Sequence, residues 1–198
     1  MSIKSIYNRR SIRNFLEKDI PLELLYEILN AGREAPSAKN RQPWKYIVFG
    51  NEKKKELLQA MKAGLDREDK GITDLPKSRF GISDAKNTLR IMSEAPIIII
   101  VLNTNAISPF LKINNDERIS EICDSLAIGA SIENMVLTAE DMGLGTLWIA
   151  NTCFAYSELV EYLDTDKQLV GAIAIGYPNE KPAKRPRKSL EEIAEFRM

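Results

Sequence analysis

Six consecutive apolar side chains, Ile97-Ile98-Ile99-Ile100-Val101-Leu102, five of them β-branched, follow directly on Pro96. Successive residues of a strand point to opposite faces, so a strand without a polar member has no face to give to water. Such a run belongs inside a sheet that is covered on both sides. It is too short to cross a bilayer as a helix, which takes about 20 apolar residues, and no longer apolar run occurs. A chain organised around this strand must supply helices to both of its faces.

The helices are legible on either side of it. Leu22, Leu25, Ile28 and Leu29 recur at helical spacing after Asp19 and Pro21, with Gly32 near the end, and predict an amphipathic helix over Leu22–Ala35. Lys53–Leu65 and Asp84–Ser93 also read as helices, the second closed off by Pro96. Cys123–Met142 is apolar nearly all round, with Gly129, Ala130 and Ser131 in its middle. This predicts a helix packed on all sides and closely approached by another, such as one from a second subunit. Further strands are expected at Trp44–Gly50, Thr146–Ala150 and Leu169–Tyr177, with a helix near Ser157–Leu163 and a short one from Ser189. Asp66–Arg79 is charged and broken by Gly71 and Pro76, as a lid would be. Strands alternating with helices predict a helix-covered α/β or α+β sheet. With no repeat or linker, a single domain is expected over residues 1–198.

Much chemistry is excluded by what is absent. The chain has no histidine, which removes Ser-His-Asp and Cys-His nucleophilic triads. Cys123 and Cys153 form no CxxC pair, so no zinc or disulfide framework is expected, and both read as buried small hydrophobes. Met1–Phe15 lacks the apolar stretch of a secretory signal, and a cytoplasmic location without membrane attachment is expected. Basic and acidic residues balance at 28 each, but they are not mixed evenly. Lys4, Arg9, Arg10 and Arg13 at the start, and Lys181, Lys184, Arg185, Arg187 and Lys188 near the end, have no acidic neighbour within their stretches. The remaining body is acidic, which predicts a local anion site built from both ends and argues against a nucleic-acid binder.

Four segments carry candidate chemistry. In Asn8-Arg9-Arg10-Ser11-Ile12-Arg13-Asn14-Phe15, an extended backbone would line Arg9, Ser11 and Arg13 on one side. Guanidinium forks and a hydroxyl suit a phosphate, although a solvated basic terminus has the same composition. In Ala35-Pro36-Ser37-Ala38-Lys39-Asn40-Arg41-Gln42-Pro43-Trp44, two prolines bracket side chains able to hydrogen-bond the edge of a heterocycle, or else form an ordinary helix-to-strand loop. Gly143-Leu144-Gly145-Thr146-Leu147-Trp148-Ile149-Ala150 could bring backbone against a flat ligand or make a tight turn, and it is no dinucleotide fingerprint. Pro182–Lys188 could bring Arg185 and Arg187 to the N-terminal arginines around one phosphate, or remain a solvated tail.

Taken in order, these segments resemble the nitroreductase family over nearly the whole chain: RRSIRNF, PSAKNRQPW, the IIIIV strand, the long helix ending in GLGTLWIA, then AIAIGYP with PAKRPRK. The resemblance implies an α+β nitroreductase-like fold, with a central mixed or antiparallel sheet covered by helices, in an intertwined homodimer. It implies FMN at the interface, NAD(P)H as co-substrate, and ping-pong reduction of nitroaromatics, quinones or related electron-poor small molecules. It further implies that Arg9 and Ser11, flanked by Arg10, bind the phosphate together with Arg185 and Arg187. Arg13 would face the pyrimidine edge as electrostatic support, with no protein residue acting as general acid or base. Pro36, Ser37, Ala38 and Asn40 would come from the other subunit, and Leu147, Trp148 and Ile149 would lie along the isoalloxazine. Thr88 and Arg90 are possible occupants of the family's contacts before the central strand. A glutamate and glycine found in some members are replaced by Ile149 and Ala150. Alternatives are a reductive dehalogenase or flavin-fragmenting enzyme of the same fold, or a non-catalytic flavin-binding module.

Overall fold

Ile98 to Leu102 are at 0 % exposure and lie on an interior strand, as their composition requires. The computed structural model describes residues 3–198. In chain order the elements are α1 (Ile3–Asn8), α2 (Leu22–Arg33), β1 (Trp44–Phe49), α3 (Asn51–Asp69), α4 (Ile82–Glu94), β2 (Ile97–Asn103), α5 (Asn115–Asp141), β3 (Gly145–Ile149), α6 (Tyr156–Tyr162), β4 (Gln168–Gly176) and α7 (Leu190–Ile193). The sheet runs β1-β2-β4-β3 with every neighbouring pair antiparallel, so the fold is α+β.

The two faces of β2 go to two separate cores. Ile98, Ile100 and Leu102 pack with Leu57 and Met61 of α3, Ile91 and Met92 of α4, and Leu159 of α6. Ile99 and Val101 pack with Ile28 of α2 and with Ile128, Ile132 and Met135 of α5. Each such side chain contributes about 1.5–3 kcal/mol by leaving water. The sheet therefore lies between α3, α4 and α6 on one side and α2 and α5 on the other.

The expected helices and strands are present, with corrections to α5, to α3 and to the burial of the cysteines. α5 begins at Asn115, eight residues before Cys123, because its first turns are polar and carry a capping box. The Asn114 side chain accepts from the Glu117 N–H at 2.9 Å, and the Glu117 carboxylate accepts from the Asn114 N–H at 2.8 Å. Nor is α5 packed on all sides within the chain: Ile119, Ile122 and Leu126, a stripe at i, i+3 and i+7, are 62 %, 48 % and 71 % exposed. By length and composition α5 could cross a bilayer, yet half of its apolar window is buried within the protein, the situation of a core helix. α3 continues through Asp66 to Asp69 instead of stopping at Leu65, supported by the Lys62–Asp66 pair at i,i+4. The excursion before α4 is correspondingly shorter and holds a 3-10 turn at Pro76–Gly81. Finally, both cysteines are only partly buried. Burial pushes the Cys153 thiol up, away from thiolate reactivity.

Candidate functional site

The residues after α1 are extended and sew the N-terminus onto the open edge of β3. The Ile12 N–H donates to the Thr146 carbonyl at 2.9 Å, within a parallel bridge between Ser11 and Thr146. The Leu16 N–H donates to the Tyr177 carbonyl at 2.9 Å, and Asn179 donates to Asn14 at 3.0 Å, tying the same segment to the chain leaving β4. Ile12 and Phe15 turn into the core, which sends Ser11 and Arg13 the other way. Gly145 permits this approach, since a Cβ there would stand 2.6 Å from Ile12 Cγ1.

Both basic stretches thereby line one cavity of about 700 Å³ with Arg9, Arg10, Ser11, Arg13, Arg185 and Arg187. The two ends of the sequence meet here as expected. Arg9 Nε has a loose ion pair with Glu133 at 3.5 Å. Among the described residues, no carboxylate pairs with the side chain of Arg10, Arg13, Arg185 or Arg187. Arg10 Nη1 instead donates to the carbonyls of Tyr7, Asn8 and Arg9 at 2.8–2.9 Å, closing the end of α1. Arg13 Nη1 donates to the Ser11 carbonyl at 3.2 Å, while its backbone N–H donates to Glu180. Like charges gathered without counter-ions destabilise the free protein and favour an anionic ligand.

Arg13 also borders a second cleft of about 230 Å³, lined by Leu147, Trp148 and Ile149 from β3 and by Asp84, Thr88 and Asn151. β3 is an edge strand. Alternation along it turns the Trp148 N–H and carbonyl to the same side as those of Thr146, away from β4. Gly171 sets where this edge ends, because a Cβ there would lie 2.4 Å from the Ile149 carbonyl oxygen. Asn151 Nδ2 donates to Asp84 Oδ2 at 3.1 Å and Thr88 Oγ1 at 2.9 Å, while its buried Oδ1 has no partner. An orphaned acceptor costs about 1–3 kcal/mol until a donor arrives.

Thr88 thus lines the cleft, whereas Arg90 does not and is held by Glu94 and by the side chain of Asn87. Asp84, Asn87 and Asn151 belong to the cleft although the sequence did not single them out. Residues 84, 87, 88 and 91 share one face of α4, and three polar side chains with Ile91 on that face were the available signal.

Pro36, Ser37, Ala38 and Asn40 line neither cavity. They precede β1, whose first residue Trp44 pairs with Asn103, which in turn pairs with Gln168. The arginine cavity stands at the other end of the sheet, where Thr146 pairs with Ile175 and Ile175 with Ile97. Seven residues of β2 separate the two ends, about 20 Å at the rise of a strand. The loop and the arginines of one chain therefore lie apart. At the loop's end of the sheet lies a further cavity of about 580 Å³, lined by Arg41, Asn105, Ile107, Leu111, Glu121 and Asp124 among others.

Comparison with known proteins identifies the family. The model described as Nitroreductase family matches residues 6–177. An iodotyrosine deiodinase from Thermotoga neapolitana is 25% identical over 186 residues, covering 92% of this chain and 91% of that protein. An FMN reductase [NAD(P)H] from Bacillus subtilis is 26% identical over 196 residues, covering 96% of this chain and 71% of that protein. Among solved structures, a nitroreductase-like family protein from Bacillus cereus superposes with a TM-score of 0.73 at 26% identity, over 99% of this chain and 96% of that one.

Proposed function

The chain belongs to the nitroreductase family, and from that premise we propose that it is an FMN-dependent oxidoreductase. It takes electrons from NAD(P)H and delivers them to nitroaromatics, quinones or related electron-poor compounds. The observation that carries the reading is the convergence of five arginines, four of them with no carboxylate at the guanidinium, on one cavity that shares Arg13 with a cleft along a strand edge. A relative named for FMN and NAD(P)H supports the choice of cofactor and co-substrate.

The residues fit FMN at both ends. Arg9, Ser11, Arg185 and Arg187 would hold the phosphate, whose geometry a guanidinium matches bidentately. The outward N–H and carbonyl of Trp148, and the unpartnered Oδ1 of Asn151, offer the polar edge a flavin ring needs, between the apolar walls of Leu147 and Ile149. Bound FMN would supply a two-electron carrier that takes hydride from the nicotinamide and passes electrons on in a ping-pong order. Arg13 would place positive charge beside the ring, favouring its anionic reduced form. The protein positions and tunes, and no general base is required of a chain without histidine.

The site is proposed to be completed in a homodimer. Pro36, Ser37, Ala38 and Asn40 reach the flavin of the partner subunit, and the exposed stripe Ile119, Ile122 and Leu126 of α5 is buried in the contact. The test is an absorption spectrum of the purified protein before and after anaerobic NADH or NADPH, with elution on a sizing column. Flavin bands that bleach in a dimer-sized peak are expected. A colourless protein that takes up no added FMN overturns the reading.

Reductive dehalogenation is a second reading, favoured by likeness to a deiodinase across nearly the full length of both chains. Iodide release from an iodinated tyrosine faster than turnover of a nitroaromatic would select it.

A further inference from the structure

Lys39, Asn40 and Gln42 have φ of 53°, 53° and 46°, and none is glycine. Left-handed backbone is disfavoured for residues that bear a Cβ, and a cluster of them persists only where the surroundings over-determine it. One restraint is local: Ser37 Oγ accepts from the Gln42 N–H at 3.0 Å. Two are long-range: the Pro43 carbonyl accepts from the Thr104 N–H at 2.7 Å, and Arg41 reaches α5. Arg41 Nη2 lies 2.8 Å from Asp124 Oδ1 and donates to the Ser120 carbonyl at 3.4 Å, which pins the middle of the strained stretch to α5.

Asp124 is unusual for a carboxylate. Its side chain is 3 % exposed, on a helix whose neighbouring turn enters the core at Ile128. Both oxygens are occupied, Oδ1 by Arg41 and Oδ2 by Asn105 Nδ2 at 3.2 Å. Buried carboxylates are expensive unless paired and hydrogen-bonded in this way, and replacing such a pair with apolar side chains is often neutral or better for stability. Stability alone therefore does not account for the pair, and what it fixes is geometry. Asn105 begins the wall of the 580 Å³ cavity, so one carboxylate fixes the strained loop and that wall together.

We propose that Asp124 is a positioning residue for the flavin held by the partner subunit: through Arg41 it locks the left-handed backbone of Lys39–Gln42 in the shape the loop presents across the dimer. This rests on the FMN reading above. Asp124 touches no cofactor and acts only through Arg41.

Asp124→Asn keeps the side-chain shape and removes the charge that holds Arg41. FMN affinity of the dimer is expected to fall by about tenfold or more, a loss equivalent to releasing roughly one strained residue. Arg41→Gln removes the pair from its more exposed side and should give the same loss if Asp124→Asn folds poorly. The decisive readout is complementation. A heterodimer, isolated with two different affinity tags, combines one subunit carrying Arg9→Ala and Arg13→Ala with one carrying Asp124→Asn or Arg41→Gln. One of its two sites then has intact arginines facing an intact loop, so half the wild-type flavin content returns while each mutant homodimer stays largely empty. A merely misfolded subunit would rescue nothing. Wild-type protein that takes up no FMN overturns the FMN reading itself. Wild-type protein that binds FMN, with variants that bind it equally well, overturns the role of Asp124. Weak variants without rescue in the heterodimer overturn its action across the interface.

Discussion

Two groups of arginines in this molecule are treated in opposite ways. Arg67 is saturated: it meets Glu158 at 2.6 Å and Glu68 at 2.9 Å, and donates to the carbonyls of Ile72 and Phe154 at 2.7 and 3.2 Å. It fastens the end of α3 to the excursion before α4 and to the turn preceding α6. The guanidinium groups of Arg13, Arg185 and Arg187 have no carboxylate partner among the described residues and face a cavity. Sequence composition does not distinguish these groups. Their partners do: a guanidinium that finds its anions inside the fold is structural, and one left without them is poised for an anion from outside.

The sharpest way to break the contrast is Arg67→Met. Glu68, 2 % exposed at its side chain, would be left as an uncompensated buried charge, and a loss of about 3–5 kcal/mol is expected in denaturant unfolding. Next comes Arg185→Ala or Arg187→Ala. Removing one charge-assisted hydrogen bond to a phosphate should weaken FMN by about 1.5–3 kcal/mol in titration, roughly ten- to a hundredfold, while unfolding of the FMN-free protein moves little or improves. If both classes of substitution cost stability alike, the contrast fails.

The third test uses pH. Burial alone would push Glu158 up, but its hydrogen bond with Arg67, a backbone hydrogen bond and the Arg67 charge together outweigh it and hold the carboxyl below the usual range. A folded value below the unfolded one stabilises above the ordinary glutamate range, and that stability is lost as pH falls through the depressed value. Glu158→Gln should therefore be less stable than wild type near neutrality, with the gap closing below about pH 4. The smallest effect is expected from inorganic phosphate, which should raise the Tm of the FMN-free protein by mass action and do so less in Arg185→Ala.

What could be read from the sequence follows the strength of local signals. Ile97–Leu102 announced an interior strand because no residue in it can face water. The meeting of Arg9–Arg13 with Arg185 and Arg187 was legible because both stretches lack acids in an otherwise acidic chain. The start of α5 was not, since its first turns are polar and their signal is a cap instead of a stripe. Asn87 and Asn151 were missed because amides look alike in caps, loops and clefts, and only the fold brings α4 beside the end of β3. Backbone strain in the loop was equally hidden: Lys39 and Gln42 carry no mark of a left-handed conformation, which the Arg41–Asp124 pair helps impose from α5.

The loop and the arginines stand at opposite ends of one seven-residue strand. On the shared-site proposal, a lone chain would own half of each of two sites and the whole of neither. If the dimer reading holds, cofactor capture becomes second order in polypeptide. Dilution alone would then empty the protein, and excess FMN would push solitary chains together by mass action. The length of a strand would act as a concentration gauge, making activity rise more steeply than abundance.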